Sequence, residues 1–177
     1  MMSSPEHPLT LVLVGPMAAG KTSVGRKVAR MLDVPFIDTD KRIAAEHGPI
    51  PEIFAEHGEA RFRELEREAV ATAVATAVAE GGVVSLGGGA VTDADTRALL
   101  HRHPVVFLTV TAEAVERRIT GSGRPLLAGD DPVARWRTIF DQRRGWYEEV
   151  ADLTVDTSRR PMRALAEEIA AWRRKQP

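Results

Sequence analysis

An α/β protein, with a parallel sheet between layers of helices, is what this sequence predicts, and three observations predict it. Five short, apolar, β-rich runs alternate with helical patterns along the chain. The first run, Leu9 to Val14, leads into Gly15-Pro16-Met17-Ala18-Ala19-Gly20-Lys21-Thr22, a Gly, four residues and then Gly-Lys-Thr. Its 177 residues contain no cysteine, and a chain of that length buries one core without disulfide or metal staples.

The Gly15 to Thr22 segment is a P-loop joining a strand to a helix. Its glycines let the backbone curl so that successive N–H groups face phosphate oxygens at the positive end of a helix dipole. Gly15, Ala18, Ala19, Gly20, Lys21, Thr22 and Ser23 are therefore the candidate nucleotide-phosphate residues. Lys21 would reach the β- and γ-phosphates, and the Thr22 hydroxyl would hold Mg2+.

The helix runs to about Leu32, with Val24, Val28, Met31 and Leu32 on one face. Asp33-Val34-Pro35 breaks it, and Phe36-Ile37 makes a short second strand that ends in Asp38-Thr39-Asp40. Acidic residues there suit a cap for the helix Lys41 to Glu46, and equally suit the ligand edge of a parallel sheet. A P-loop enzyme needs a carboxylate near its metal, and the run Val105 to Val110 ends in Thr111 instead of Asp. Asp38 is thus the candidate for the metal's water shell, which leaves Asp40 facing a second substrate.

A short helix, Glu52 to His57, ends at Gly58, and the longest helical pattern follows from Glu59 to Glu80. Phe62, Leu65, Ala69, Val70, Ala73, Val74, Ala77 and Val78 form its apolar stripe, and the charges of its first two turns read mostly as a solvated face. Strand three spans Val83 to Leu86, with Gly87-Gly88-Gly89 at its carboxyl end; three glycines at the ligand edge point to close backbone approach by something bound. Asp93 caps a helix to about His101, strand four is Val105 to Val110, and Thr111 caps Ala112 to Ile119. Residues 120–131 have no period and read as a mobile lid, in which Arg124 would bring positive charge on closure. Pro132 opens a helix to about Glu149, Leu153 to Asp156 is strand five, and a last amphipathic helix carries Met162, Leu165, Ala166, Ile169 and Trp172 inward. Its basic end, Arg173-Arg174-Lys175, suits a helix C-terminus. The expected fold is a three-layer P-loop sandwich: a five-stranded parallel sheet flanked by helices, plus a mobile lid.

Composition narrows the partner. With 24 Lys and Arg against 25 Asp and Glu, no global basic footprint for nucleic acid or membrane exists. The absence of an apolar run near about 18 residues, and of a leader pattern in the first eight, predicts a cytoplasmic chain with a frayed N-terminus over residues 1–8. The five histidines show no metal-ligand spacing and read as surface residues. A small-molecule substrate is expected.

The ordered set of the P-loop, Asp38-Thr39-Asp40, Phe62-Arg63 with Glu66, Gly87-Gly88-Gly89-Ala90-Val91, Arg124-Pro125-Leu126-Leu127, and Arg143 with Tyr147 resembles the shikimate kinase family, over about residues 9–170. The resemblance implies a single, monomeric kinase domain over residues 1–177, related in fold to nucleoside monophosphate kinases, with a substrate-binding helical part at about 41–80. It implies transfer of the ATP γ-phosphate to the 3-hydroxyl of shikimate with Mg2+, in the aromatic amino-acid pathway. Carried residue by residue, it makes Lys21, Asp40 and Arg124 catalytic. It gives Asp40, Arg63, Gly87, Gly88, Gly89 and Arg143 to the shikimate pocket, Thr22 and Asp38 to the metal, and Arg118 and Arg160 to the adenine side. A carboxylate gripped by forked arginines, and hydroxyls bonded by an Asp, suit that acceptor. Ala18 replaces a Gly common in the family's loop, and Gly145-Trp146 replaces a common Pro-Leu, which would alter packing beneath Arg143. Another small-molecule P-loop kinase, such as a gluconate kinase, would share loop and fold without needing the triple glycine. A nucleotide switch or nucleic-acid motor would need an Asn-Lys-x-Asp signature or a usual Walker B carboxylate, and the chain has neither.

Overall fold

The computed structural model describes residues 8–119 and 130–177. Five parallel strands, β1 (Thr10–Val14), β2 (Phe36–Asp38), β3 (Gly82–Ser85), β4 (Val105–Thr109) and β5 (Leu153–Asp156), form one sheet in the order β2-β3-β1-β4-β5. Strand β1 is central because both its faces are buried, and the alternation of its side chains feeds two cores. Leu11 and Leu13 pack with Val106 and Leu108 under α1 (Lys21–Leu32), α5 (Ala112–Ile119) and α7 (Met162–Arg174). Val12 and Val14 pack with Val105 and Phe107 on the opposite side, under α3 (Ile50–Glu80), α4 (Ala94–Leu100) and α6 (Pro132–Val150).

The short helix α2 (Thr39–His47) makes a third, smaller cluster with α3, in which Ile43 meets Ile53, Phe62 and Leu65. The break expected at Gly58 is present within α3 as a kink, with φ 80° and ψ 171° there. Helix α2 begins two residues earlier than its apolar pattern suggests, because Asp38 accepts from the Lys41 N–H and caps it from the end of β2. The basic tail is more than a favourable helix end: buried Arg173 donates through Nε to the Thr10 carbonyl at 2.7 Å and ties α7 to β1. Chain order reverses about β1, so the crevice at the carboxyl ends of β1, β2 and β3 is where a ligand belongs in an open parallel sheet.

Candidate active site

The phosphate half of that crevice is the loop between β1 and α1. Gly15, with φ 150°, cannot be another residue, since a Cβ there would lie 2.3 Å from the Leu108 carbonyl oxygen. Three consecutive loop carbonyls are held by side chains from other elements. Trp136 Nε1 donates to Met17 O at 2.8 Å, Arg118 Nη1 to Ala18 O at 2.9 Å, and Thr157 Oγ1 to Ala19 O at 2.7 Å. With these carbonyls engaged by α6, α5 and the turn after β5, the loop is fixed before any ligand arrives. Lys21 Nζ donates to Gly15 O and Pro16 O at 2.8 and 2.9 Å, folded over the loop at the mouth of a cavity of about 590 Å³. Beside it, Thr22 Oγ1 donates to Asp38 Oδ2 at 2.8 Å. Asp38 therefore caps α2 with one oxygen and meets Thr22 with the other.

The other half, where the sequence leads one to expect the acceptor, is built from charged side chains of α2, α3 and α6 around the turn after β3. Arg63 Nη1 donates to Glu66 Oε2 at 2.5 Å and Nη2 to Glu59 Oε1 at 3.2 Å. Burial opposes the Arg63 charge, but Glu66 and then Glu59 outweigh it and hold its pKa above the ordinary value. Glu66 is almost wholly enclosed, and burial pushes its carboxyl up from the usual range against the pull of Arg63. The turn glycines are the mould for this cluster. A Cβ on Gly87 would fall 2.6 Å from both Asp40 Oδ1 and Glu66 Oε1, and one on Gly89 would fall 2.1 Å from Arg63 Nη1. Thr39 holds the turn as well, receiving the Gly87 N–H on its hydroxyl at 3.3 Å. Buried Arg143 stands on the α6 side, hydrogen-bonded to Tyr147, whose own hydroxyl donates to the Gly88 carbonyl. Burial pushes the Tyr147 phenol up to about 12.

This pairing of a phosphate loop with an arginine–carboxylate pocket can be compared with known proteins. A profile described as shikimate kinase matches residues 17–173. The chain belongs to the shikimate kinase family. The shikimate kinase of Salinispora arenicola is 51% identical over 162 residues, covering 90% of this chain and 95% of that one. Among solved structures, shikimate kinase from Acinetobacter baumannii in complex with shikimate superposes with a TM-score of 0.88 at 35% identity, covering 97% of each chain. A gluconokinase from Sinorhizobium meliloti shares only the fold, with a TM-score of 0.58 at 20% identity.

Within this kinase fold the crevice brings together most of the residues expected from the sequence. Ala18, Gly20, Lys21, Thr22, Ser23, Asp38, Asp40, Gly88 and Arg118 line the one cavity. Arg63, Gly87, Gly89 and Arg143 form the wall behind Asp40. Arg160 is not brought there: it is exposed and paired with Glu168 at 2.6 Å. Arg124 lies outside the described residues. Trp146 carries the Arg97 guanidinium 5.2 Å from its ring centroid, and a side chain at Gly145 would meet open space. Sequence reasoning gave no site role to Glu66, Tyr147, Trp136 or Thr157. Only Glu66 left a signal of its own, a carboxylate at i+4 from Phe62 on an otherwise apolar stripe.

Proposed function

We propose that this crevice carries out the family's reaction, transfer of the ATP γ-phosphoryl group to a shikimate hydroxyl, at the 3-hydroxyl and with the following division of labour. The observation that carries the reading is the joining of the two halves: Asp40 lines one cavity with the P-loop residues Lys21 and Thr22, and the Gly87 turn sets it beside the buried Glu66 that pins Arg63. Loop N–H groups and Lys21 take the nucleotide phosphates, and Lys21 follows charge onto the transferring group, which is where phosphoryl transfer gains most. Arg63 and Arg143 grip the acceptor carboxylate, a match for forked N–H donors.

Asp40 hydrogen-bonds the ring hydroxyls and receives the proton of the attacking one. Glu66 touches no substrate in this reading; it fixes the Arg63 fork. Thr22 and Asp38 suit Mg2+, since a hydroxyl and a carboxylate 2.8 Å apart at the phosphate end leave the remaining positions to water and phosphate oxygens, as that ion prefers. When bound it would neutralise phosphate charge. Arg118 borders the nucleotide end, and Arg124 is assigned to the phosphates on the family's pattern. ADP release from ATP and Mg2+ with shikimate, with gluconate and with no acceptor tests the reading. Stimulation by shikimate alone is expected; equal release in all three would overturn it.

A further inference from the structure

A second cavity, of about 600 Å³, opens on the far side of Asp38, at the free edge of the sheet along β2. That is a usual size for a small-molecule site. Its floor is apolar, with Ala29, Val34, Phe36 and Ile37, and its rim is cationic, with Arg26 and Arg30 from α1 and Lys41 and Arg42 from α2. None of these four cations has a carboxylate within ion-pair distance among the described residues. Some surface arginines elsewhere are paired, as in Arg61–Glu64, Arg67–Asp93, Arg144–Glu148 and Arg163–Glu167. Asp38, the carboxylate in the wall, is already engaged by Thr22 and by the Lys41 N–H.

Local structure does not account for the rim. Arg26 and Arg30 are a like-charged i, i+4 pair on α1, which weakens a helix. Lys41 and Arg42 stand in the first turn of α2, the end where a helix disfavours cations. Arg30 is favoured as a cation in the last turn of α1, but the like-charged spacing and the Lys41 and Arg42 placement cost helix stability, and no carboxylate within ion-pair distance among the described residues offsets that cost. Arg26 does make one contact, with its guanidinium 5.8 Å from the Phe36 ring centroid, so a cation already lies over a flat apolar surface in the floor.

We propose that this groove is a second ligand site, for a small organic anion with a planar apolar body, whose carboxylates meet the Arg26, Arg30 and Arg42 guanidiniums while its flat face lies on Phe36. It adjoins the catalytic crevice, with which it shares Asp38 and Lys41, and it is independent of the assignment of the acceptor. The probe is phthalate, two carboxylates on one ring, titrated calorimetrically into the full chain with the catalytic cavity filled by ADP, Mg2+ and shikimate; inorganic phosphate is the comparison. Saturable one-to-one phthalate binding is expected, weaker binding of phosphate, and at least about tenfold loss of phthalate affinity in Arg26→Gln/Arg30→Gln with kcat within about twofold. Arg42→Gln is the second variant, expected to weaken phthalate severalfold without disturbing α1. Absence of saturable heat, or phthalate binding unchanged in both variants, would overturn the site, and phosphate binding as tightly as phthalate would overturn the planar-anion class.

Discussion

The two halves of the crevice are stabilised in different ways. The phosphate half is one contiguous segment whose geometry is set by backbone conformation and by three bonds to its carbonyl oxygens. The acceptor half is a set of charges drawn from α2, α3 and α6 and held in mutual place by ion pairing, burial and glycines that leave room. Backbone bonds fix a loop whatever its side chains, so the first half should lose chemistry and keep its shape when a side chain is removed. Neighbouring charges fix one another, so the second half should lose recognition.

Lys21→Ala puts the largest strain on that contrast. Lys21 bonds the Gly15 and Pro16 carbonyls within its own loop, while Trp136, Arg118 and Thr157 go on holding the next three carbonyls, so the fold should be retained. Its charge on the transferring phosphoryl should be missed by a factor of at least about a hundred in kcat. Circular dichroism and steady-state kinetics of the variant check both; a folded variant with near-normal kcat would remove the phosphate half from the chemistry. Arg63→Ala should come next. Loss of a charged hydrogen bond of about 1.5 to 3 kcal/mol should raise the shikimate KM roughly tenfold to a hundredfold and leave the ATP KM within about twofold. If the ATP KM rises instead, the two halves are not separable as drawn.

That difference also explains what could be read beforehand. The P-loop was legible because its spacing is local: Gly15, Gly20, Lys21 and Thr22 occupy eight consecutive positions, and each has a chemical reason to be there. The five-stranded layout between helices followed from alternation of apolar runs with helices, whereas the strand order and the two-sided burial of β1 come from the structure. The supports of the site were not legible. Trp136 reaches Met17 across 119 residues and Thr157 reaches Ala19 across 138, and no periodicity in the sequence records such a bond. Arg63 and Glu66 sit among charges that do form a solvated face, such as Arg61 with Glu64, and only burial separates the two kinds. Arg160 differs again, since its assignment came from the family pattern alone and its ion pair is with Glu168 on the surface.

A milder test of the acceptor half uses pH. Tyr147 is the chain's sole tyrosine, so its phenolate absorbance reports one site. Burial raises its pKa to about 12 in the folded protein, above the value near 10 expected unfolded. Raised in the folded state, the neutral phenol contributes stability that is fully present below about pH 10 and is lost as pH rises through about 12, roughly 2 to 3 kcal/mol in all. Phenolate should therefore not appear near pH 10 in the native protein and should appear there in denaturant. A native midpoint near 10 would mean that the Tyr147 hydroxyl, and with it the Gly88 turn, is open to water.

The smallest expected effect returns to the phosphate half, at Ala18. Its φ of 66° is left-handed, a region that costs an L-residue about 1 to 2 kcal/mol and costs glycine almost nothing. Ala18→Gly removes that strain but gives the unfolded chain more freedom, worth about 0.4 to 1 kcal/mol in the other direction. The two partly cancel, and the net gain should be at most about 1.6 kcal/mol, or about 3 to 6 °C in Tm for a chain of this length. What the substitution should not change is the loop's shape, because Met17, Ala18 and Ala19 each keep a carbonyl bond to another element. The ATP KM is then expected within about twofold of wild type, with Tm equal or slightly higher. A severalfold rise in ATP KM would show that the alanine methyl itself narrows the loop around the phosphates, and that the carbonyl bonds alone do not preorganise it. Calorimetric Tm beside the ATP KM separates the two, since strain relief moves the first and loop shape moves the second.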